Sequence, residues 1–358
     1  MGNIQSEAEV NALLSQWLGV ELQRNRDPAA LQLPNPITLV PQSGDAGMRR
    51  YFSINGCDKY LAVFAPTTSE SNREFVAIAE FLRDQGIRAP RVFASDLRRG
   101  FLLIEKLGQQ LLLPQLNTDT VGSLYADAMA VLLKMQQSRV PVQLVPQYDR
   151  EKLLQEMQLF PQWFVTKLLG YSLSDEENIV LNDIFDHLIA QAQQQPQCFV
   201  HRDFHSRNLI YNPPSALGVI DFQDAVVGPV TYDVVSLLKD CYIRWPRSDV
   251  ERWALNYAAM AVDANILPAQ SEQVFLQWFD WMGLQRHIKV LGIFARLHLR
   301  DNKPDYLHDL PLVTRYTLEV TERYPIFAPF NELFMSKLLP LAEQQAWYVD
   351  YRTVGDRR

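Results

Sequence analysis

Hydrophobic spacing changes character several times along this chain. Near its start, Val10, Leu13, Leu14, Trp17 and Leu18 fall at the 3.6-residue spacing of an amphipathic helix, and Ser6-x-x-Glu9 forms a capping box ahead of them. Between about residues 31 and 66 the pattern turns β-prone. Ile37 to Val40, Tyr51 to Ile54 and Tyr60 to Phe64 are short apolar runs separated by glycine-containing turns. Helical spacing returns in "SNREFVAIAEFLRDQGI", with Phe75, Ile78, Ala79 and Leu82 on one face and Gly86 suited to its end. "RVFASD" and "GFLLIEKLG" predict two more strands.

From about Asn117 the pattern is mainly helical. Leu124, Ala128, Val131, Leu132 and Met135 mark a long helix. Ser174-x-x-Glu177 is a second capping box, ahead of Leu181, Ile184, Phe185 and Leu188. The short apolar runs "CFV", "LIY" and "GVIDF", the last ending in Asp221 and Phe222, then flank a polar loop, and after Thr231 the chain reads as helix almost to its end. This order predicts an α+β chain of two lobes: a β-rich N-lobe over residues 1–105 and a mainly helical C-lobe over residues 106–358, joined by a connector near Glu105 to Gly108.

Composition sharpens the class. A length of 358 residues suits two lobes, and 47% hydrophobic residues supply a core. The net charge of −7 argues against a nucleic-acid partner. No apolar run approaches the roughly 18 residues of a membrane span, and no signal peptide is evident, so a cytoplasmic monomer with no membrane partner is expected. "MGNIQS" fits the myristoylation pattern through Gly2 and Ser6, but an ordinary capped helix explains the same stretch. Cys57, Cys198 and Cys241 match no metal or redox spacing and read as reduced, structural thiols.

The candidate chemistry lies in "FVHRDFHSRN", Phe199 to Asn208. His201 and His205 could form an H-x3-H metal pair, completed by Asp203 or Asp221 in a hydrolase, or the stretch could be a polar turn. The metal pair does not account for Asn208 or for the β-rich lobe upstream, and a polar turn would not need two aspartates flanked by strands. His201-x-Asp203-x4-Asn208, followed by a strand and Asp221–Phe222, matches a kinase catalytic loop and metal-binding strand. In that reading Asp203 orients the attacking hydroxyl. Asn208 and Asp221 offer the hard oxygen ligands that Mg2+ prefers. His201 props the loop, and Asp233 caps a helix or braces the loop.

These motifs resemble the aminoglycoside phosphotransferase and choline kinase family, which has a protein-kinase-like fold. The family pattern H-x-D-x-H-x-x-N, then I-D-F/W, then an aspartate after a G-P pair, is filled by His201, Asp203, His205, Asn208, Asp221 and Asp233. The resemblance implies ATP and Mg2+ as cofactors and a small-molecule acceptor. "LLIEKLG" looks like the hinge, with Glu105 to Leu107 presenting backbone groups to adenine. "GDAGMRRYF", "DAVVGPVTYDVVSLLKDCYIRWP" and "FARLHLRDNKPDYLHDLP" resemble one branch of the family, the bacterial anomeric kinases of N-acetylmuramate and N-acetylglucosamine. That branch implies phosphorylation of the C1 hydroxyl of an amino sugar in peptidoglycan recycling. The alternatives are an aminoglycoside or choline-type kinase acting on another hydroxyl, and a nucleotide-binding pseudokinase.

Within the resemblance, Gly44, Asp45 and Gly47 would form the turn that covers the ATP phosphates. One departure stands out: the third strand, "YLAVFAP", lacks the lysine usual in kinase-like proteins, and Lys59 lies just before it. Glu74 is then without its partner. Arg49 and Arg50 are the nearest cations that could contact the ATP phosphates, or else they are solvated at a turn. For the acceptor, His205, Arg207, Asp224, Arg244 and Arg300 are the candidates, with Trp245 as an aromatic one. A lactyl carboxylate would favour an arginine. Trp163, Trp253 and Trp281 read as core.

Overall fold

The computed structural model describes residues 7–24, 37–42, 49–66 and 71–355. Gly2, Ser6, Gly44, Asp45 and Gly47 lie outside the described residues, and with them the first capping box and the phosphate-covering turn. The chain divides into two compact units. One comprises Met1–Pro114 with Arg207–Asp224, the other Gln115–Ser206 with Ala225–Arg358.

The first unit is built on an antiparallel sheet of β1 (Leu39–Pro41), β2 (Arg50–Ile54), β3 (Cys57–Phe64), β4 (Val92–Asp96) and β5 (Phe101–Glu105), in the order β1-β2-β3-β5-β4. β3 is its centre, and Tyr60, Ala62 and Val63 are fully buried there. Helix α1 (Glu7–Arg24) lays Val10, Leu14, Trp17, Leu18 and Leu22 against Phe52, Ile54, Tyr60 and Leu103 of the sheet. Helix α2 (Asn72–Asp84) buries Phe75, Ile78, Ala79 and Leu82, the face its spacing predicts.

The same unit extends past residue 105. β6 (Gln110–Leu111) pairs with β8 (Leu209–Tyr211), which pairs with β9 (Gly218–Val219); β7 (Gln197–Val200) and β10 (Val226–Pro229) form a separate antiparallel pair in the second unit. Segment 207–224 therefore joins the sheet unit through main-chain pairing, which a linear cut at residue 105 does not capture. Gly108 makes the close approach possible. Its φ is +158°, and a Cβ there would stand 2.9 Å from Ile210 Cγ2.

Two local expectations change. β9 stops at Val219, so Asp221 is not a strand residue; it sits beyond the strand at φ +66°, where a main-chain bond from Ile220 N to Asn208 O (3.1 Å) has ended the ladder. Lys59 lies inside β3 rather than before it, because β3 begins at Cys57, and its side chain is exposed beside the Tyr60 ring.

The second unit is helical apart from the β7–β10 pair. Its helices include α3 (Val121–Gln137), α4 (Arg150–Met157), α5 (Asp175–Gln194), α6 (Tyr232–Leu238), α7 (Arg247–Asp263), α8 (Glu272–Asp301) and α9 (Leu310–Arg323). The Ser174–Glu177 capping box starts α5 as the sequence predicts. α8 is the axis of the unit. It is buried on every face from Phe279 to Gly292, the mark of a core helix rather than a surface one. At Gly292 a Cβ would lie 2.3 Å from the carbonyl carbon of Leu159, so α8 meets the Leu159–Phe160 backbone with no side chain between. No helix among the described residues is long and apolar enough to cross a membrane.

Candidate active site

In the helical unit, strand β7 delivers the chain into the loop His201–Ser206, and buried acceptors tie down its backbone. Asp233, in the first turn of α6, accepts from His201 N at 2.6 Å and Arg202 N at 3.0 Å. Asp240 accepts from Ser206 through both the backbone N–H (3.0 Å) and the hydroxyl. His201 is fully buried, and its Nδ1 accepts from Asp203 N at 3.3 Å. Arg202 takes φ +77°, an uncommon conformation for a residue with a Cβ, and its carbonyl accepts from Ser236 Oγ. These bonds fix the backbone on both sides of Asp203.

The Asp203 side chain is 42% exposed, enough to meet a substrate, with Arg286 Nη2 3.8 Å away. Burial alone would raise its pKa, but the charges of Lys289, His205, Arg286 and Arg202 outweigh that and hold it well below the usual carboxylate range. Asp233 shows the opposite balance. Burial, joined by repulsion from Asp203, pushes it up to about 7 against the two backbone N–H groups it accepts.

Beneath Asp203 runs a buried ionic cluster. Glu156 of α4 meets Arg202 of the loop and, at 3.1 Å, Lys289 of α8; it also accepts from Tyr148. Lys289 further donates to Tyr232 at 3.0 Å. Burial would raise the Glu156 pKa, yet Lys289 and Arg202 keep it low, so the cluster is ionised. Arg286 of α8 donates to Ser236 Oγ at 2.5 Å and to Cys241 Sγ at 3.4 Å.

Asp203 opens onto a pocket lined by His205, Tyr242, Arg286, Lys289, Ile293 and Phe294, among others. One wall is aromatic: Tyr242 stacks on Phe294, Phe294 contacts Tyr306, and the His205 ring meets Tyr242 edge-on. Such a wall suits the apolar face of a sugar ring. Arg286 and Lys289, which also line the pocket, suit a neutral or acidic ligand.

In the sheet unit, Asn208 Nδ2 donates to Asp221 Oδ2 at 3.3 Å, and Gln223 Nε2 donates to Asp221 Oδ1 at 2.9 Å. The amide oxygen of Asn208 and the Asp221 carboxylate are thereby held together, a hard-oxygen donor pair that fits Mg2+. Phe222 stacks on Phe75, and the Arg49 guanidinium lies 4.6 Å from the Phe75 ring centre. Arg49 is buried and reaches Asn72 Oδ1 at 3.5 Å, so it is not a solvated turn residue; Arg50 is only half-buried, over Phe64. Along the connector, Leu107 O accepts from both Arg88 and Asn212, while its N–H has no partner among the described residues. Glu105 pairs through its side chain with Arg83, and its N–H donates to Arg91 O.

The sequence-derived acceptor candidates separate. His205 lies in the Asp203 pocket. Arg207 and Asp224 belong to the sheet unit. Arg244 is buried against Glu319 at 2.7 Å, lining a different depression with Arg247 and Asp280, and Trp245 is core, bonded to the Tyr125 hydroxyl. Arg300 is exposed and pairs with its neighbour Asp301. Sequence reasoning missed Glu156, Tyr242, Arg286 and Lys289, and took Cys241 for filler although it lines the pocket. In sequence α8 mixes Asp280, Gln285, Arg286, His287 and Lys289 among its apolar residues, so no pattern there marked Arg286 and Lys289 as facing the loop.

A family model described as the phosphotransferase enzyme family matches residues 38–268. The chain is 42% identical over 324 residues to an N-acetylmuramate/N-acetylglucosamine kinase of Pseudomonas putida, covering 89% of this chain and 94% of that one. It is also 42% identical to a protein of the same name from Pseudomonas aeruginosa, covering 84% of this chain and 89% of that one. Among solved structures, the ADP-bound aminoglycoside phosphotransferase APH(2'')-Ib superposes with a TM-score of 0.58 at 17% identity, covering 88% of this chain and 99% of that one.

Proposed function

Because the chain belongs to the phosphotransferase enzyme family, we propose that it is an ATP-dependent sugar kinase acting on the anomeric C1 hydroxyl of N-acetylmuramate and N-acetylglucosamine. The observation that carries the substrate is the 42% identity, over nearly the whole length of both chains, to a kinase named for these two sugars. The pocket supports it, with an aromatic wall for a pyranose and cations for an acidic substituent. The product, a sugar 1-phosphate, would feed nucleotide-sugar synthesis in peptidoglycan recycling.

Asp203 is ionised and weakly basic. It accepts a hydrogen bond from the C1 hydroxyl, orients the hydroxyl oxygen toward the γ-phosphorus, and takes the proton as the O–P bond forms and the bond from the γ-phosphorus to the bridging oxygen breaks, releasing ADP. A weak base suffices because an anomeric hydroxyl is more acidic than an ordinary alcohol. Asn208 and Asp221 would hold Mg2+, which would neutralise charge on the ATP phosphates. Arg49 takes the place of the absent third-strand lysine as a phosphate-contacting cation. The Leu107 N–H supplies the hinge contact to adenine.

The test is ATP consumption against a panel of amino sugars, aminoglycosides and choline, with 31P NMR of the product. An anomeric phosphate on either N-acetylated sugar is the expected result. A phosphate on another hydroxyl, or turnover only with cationic acceptors, would replace this reading. ATP binding without turnover on any acceptor would make the chain a pseudokinase.

A further inference from the structure

The pocket at Asp203 is lined by two cations from α8, Arg286 and Lys289, and they differ in what balances them. Lys289 is matched by Glu156 at 3.1 Å and donates to Tyr232 at 3.0 Å, inside the ionised cluster beneath the loop. Arg286 lacks so close a carboxylate. Its guanidinium is buried, at 3% exposure, and is anchored at two atoms. Nε donates to Ser236 Oγ at 2.5 Å, and Nη1 donates to Cys241 Sγ at 3.4 Å, a weak acceptor. Nη2 makes no hydrogen bond among the described residues, and its ion pair is the long one with Asp203 Oδ1, at 3.8 Å. A guanidinium cannot shed its charge, and burying one is costly until an anion meets it. A fixed planar donor in the lining of the acceptor pocket, with one nitrogen unspent beside Asp203, is a site for a carboxylate.

We propose that Arg286 binds the lactyl carboxylate of N-acetylmuramate through Nη2 and favours the acidic over the neutral amino sugar. This rests on the sugar-kinase reading above. The lactyl ether hangs from C3, two ring carbons from the reacting C1, on a flexible arm. Arg286 Nη2 and Asp203 Oδ1 are neighbours in one cavity, so a sugar whose C1 hydroxyl meets Asp203 brings that arm within reach of Nη2. N-Acetylglucosamine carries a plain hydroxyl at C3 and has no charge to offer there. The bonds to Ser236 and Cys241 hold the guanidinium in place before a ligand arrives, so little side-chain freedom is lost on binding. Lys289 is the poorer candidate, because a second carboxylate would compete with Glu156 for it.

The test compares N-acetylmuramate, its carboxyl methyl ester and N-acetylglucosamine as acceptors. In the parent enzyme, kcat/KM for the ester should fall on the order of 10- to 100-fold below that for the free acid, chiefly through KM, the size of one charge-assisted hydrogen-bonded pair. Arg286→Met should abolish this acid-to-ester ratio, and Arg286→Lys should recover part of it. Any disturbance of Asp203 by these variants lowers turnover of every acceptor alike and cancels in the ratio. A parent that handles acid and ester within twofold of each other overturns the proposal, whether or not the variants fold. So does a ratio that survives Arg286→Met, or a parent that phosphorylates N-acetylglucosamine but not N-acetylmuramate, and in each case the kinase reading stands. A parent inactive on both sugars removes the sugar-kinase reading, and this proposal with it.

Discussion

Asp203 is a single negative charge facing Lys289, His205, Arg286 and Arg202, and that imbalance governs its behaviour. Its folded pKa is depressed relative to the unfolded chain. It therefore contributes stability that is fully present above the unfolded value, near 4, and is lost as pH falls towards the folded one. Asp203→Asn should lower the melting temperature at pH 7, and the gap to the parent should close on titrating below about pH 4. The same variant should lose roughly 100- to 10,000-fold in kcat with ATP affinity retained. A melting difference independent of pH would mean the cations do not act on this carboxylate. At this scale the loop was legible in the sequence. His201, Asp203, Asn208 and Asp221 are short-range neighbours along the chain, and their spacing is what suggests the chemistry proposed for them. The matching cations were not, because Arg286 and Lys289 lie more than eighty residues downstream on a helix whose pattern does not say which turn faces the loop.

Elements decide where the missing lysine is replaced. β3 has no lysine on its buried face, and the replacement cation proposed above is Arg49, just ahead of β2, whose guanidinium lies over the Phe75 ring of α2. Arg49→Ala should raise the KM for ATP on the order of tenfold, while Arg50→Ala stays within twofold; equal effects would remove the distinction between them. α8 supplies the second test. A methyl group at position 292 collides with the Leu159 backbone, which no rotamer change relieves, so Gly292→Ala should cost about 1–3 kcal/mol in denaturant unfolding. Helices such as α1 and α2 followed from periodicity, since each buries one face, while α8 is buried all round and reads only as a long helix. The strands β6, β8 and β9 are two or three residues long, too short for any alternation to mark their ends. For that reason the strand ending, and with it the left-handed turn at Asp221, was visible only in three dimensions.

For the whole molecule, nucleotide binding should appear as stabilisation. Saturating Mg2+ and ATP at about 100 times the dissociation constant adds about 2.7 kcal/mol by mass action. EDTA should remove most of the accompanying rise in melting temperature. Asp221→Asn should abolish the Mg2+-dependent part, and an unchanged Mg2+ response in that variant would place the metal elsewhere. The overall order of the chain, β-rich then helical, could be read from the sequence, but not the return of segment 207–224 to the sheet unit, which depends on pairings a hundred residues apart. The Glu156–Arg202–Lys289 cluster has a consequence for descent. Its members come from α4, the loop after β7, and α8, and loss of any one strands an ion away from water at about 3–5 kcal/mol, a large share of a typical folding free energy. Drift through single substitutions at these positions is therefore closed. Across related chains, positions 156, 202 and 289 should change together or stay fixed, and independent variation in an alignment would contradict their mutual dependence.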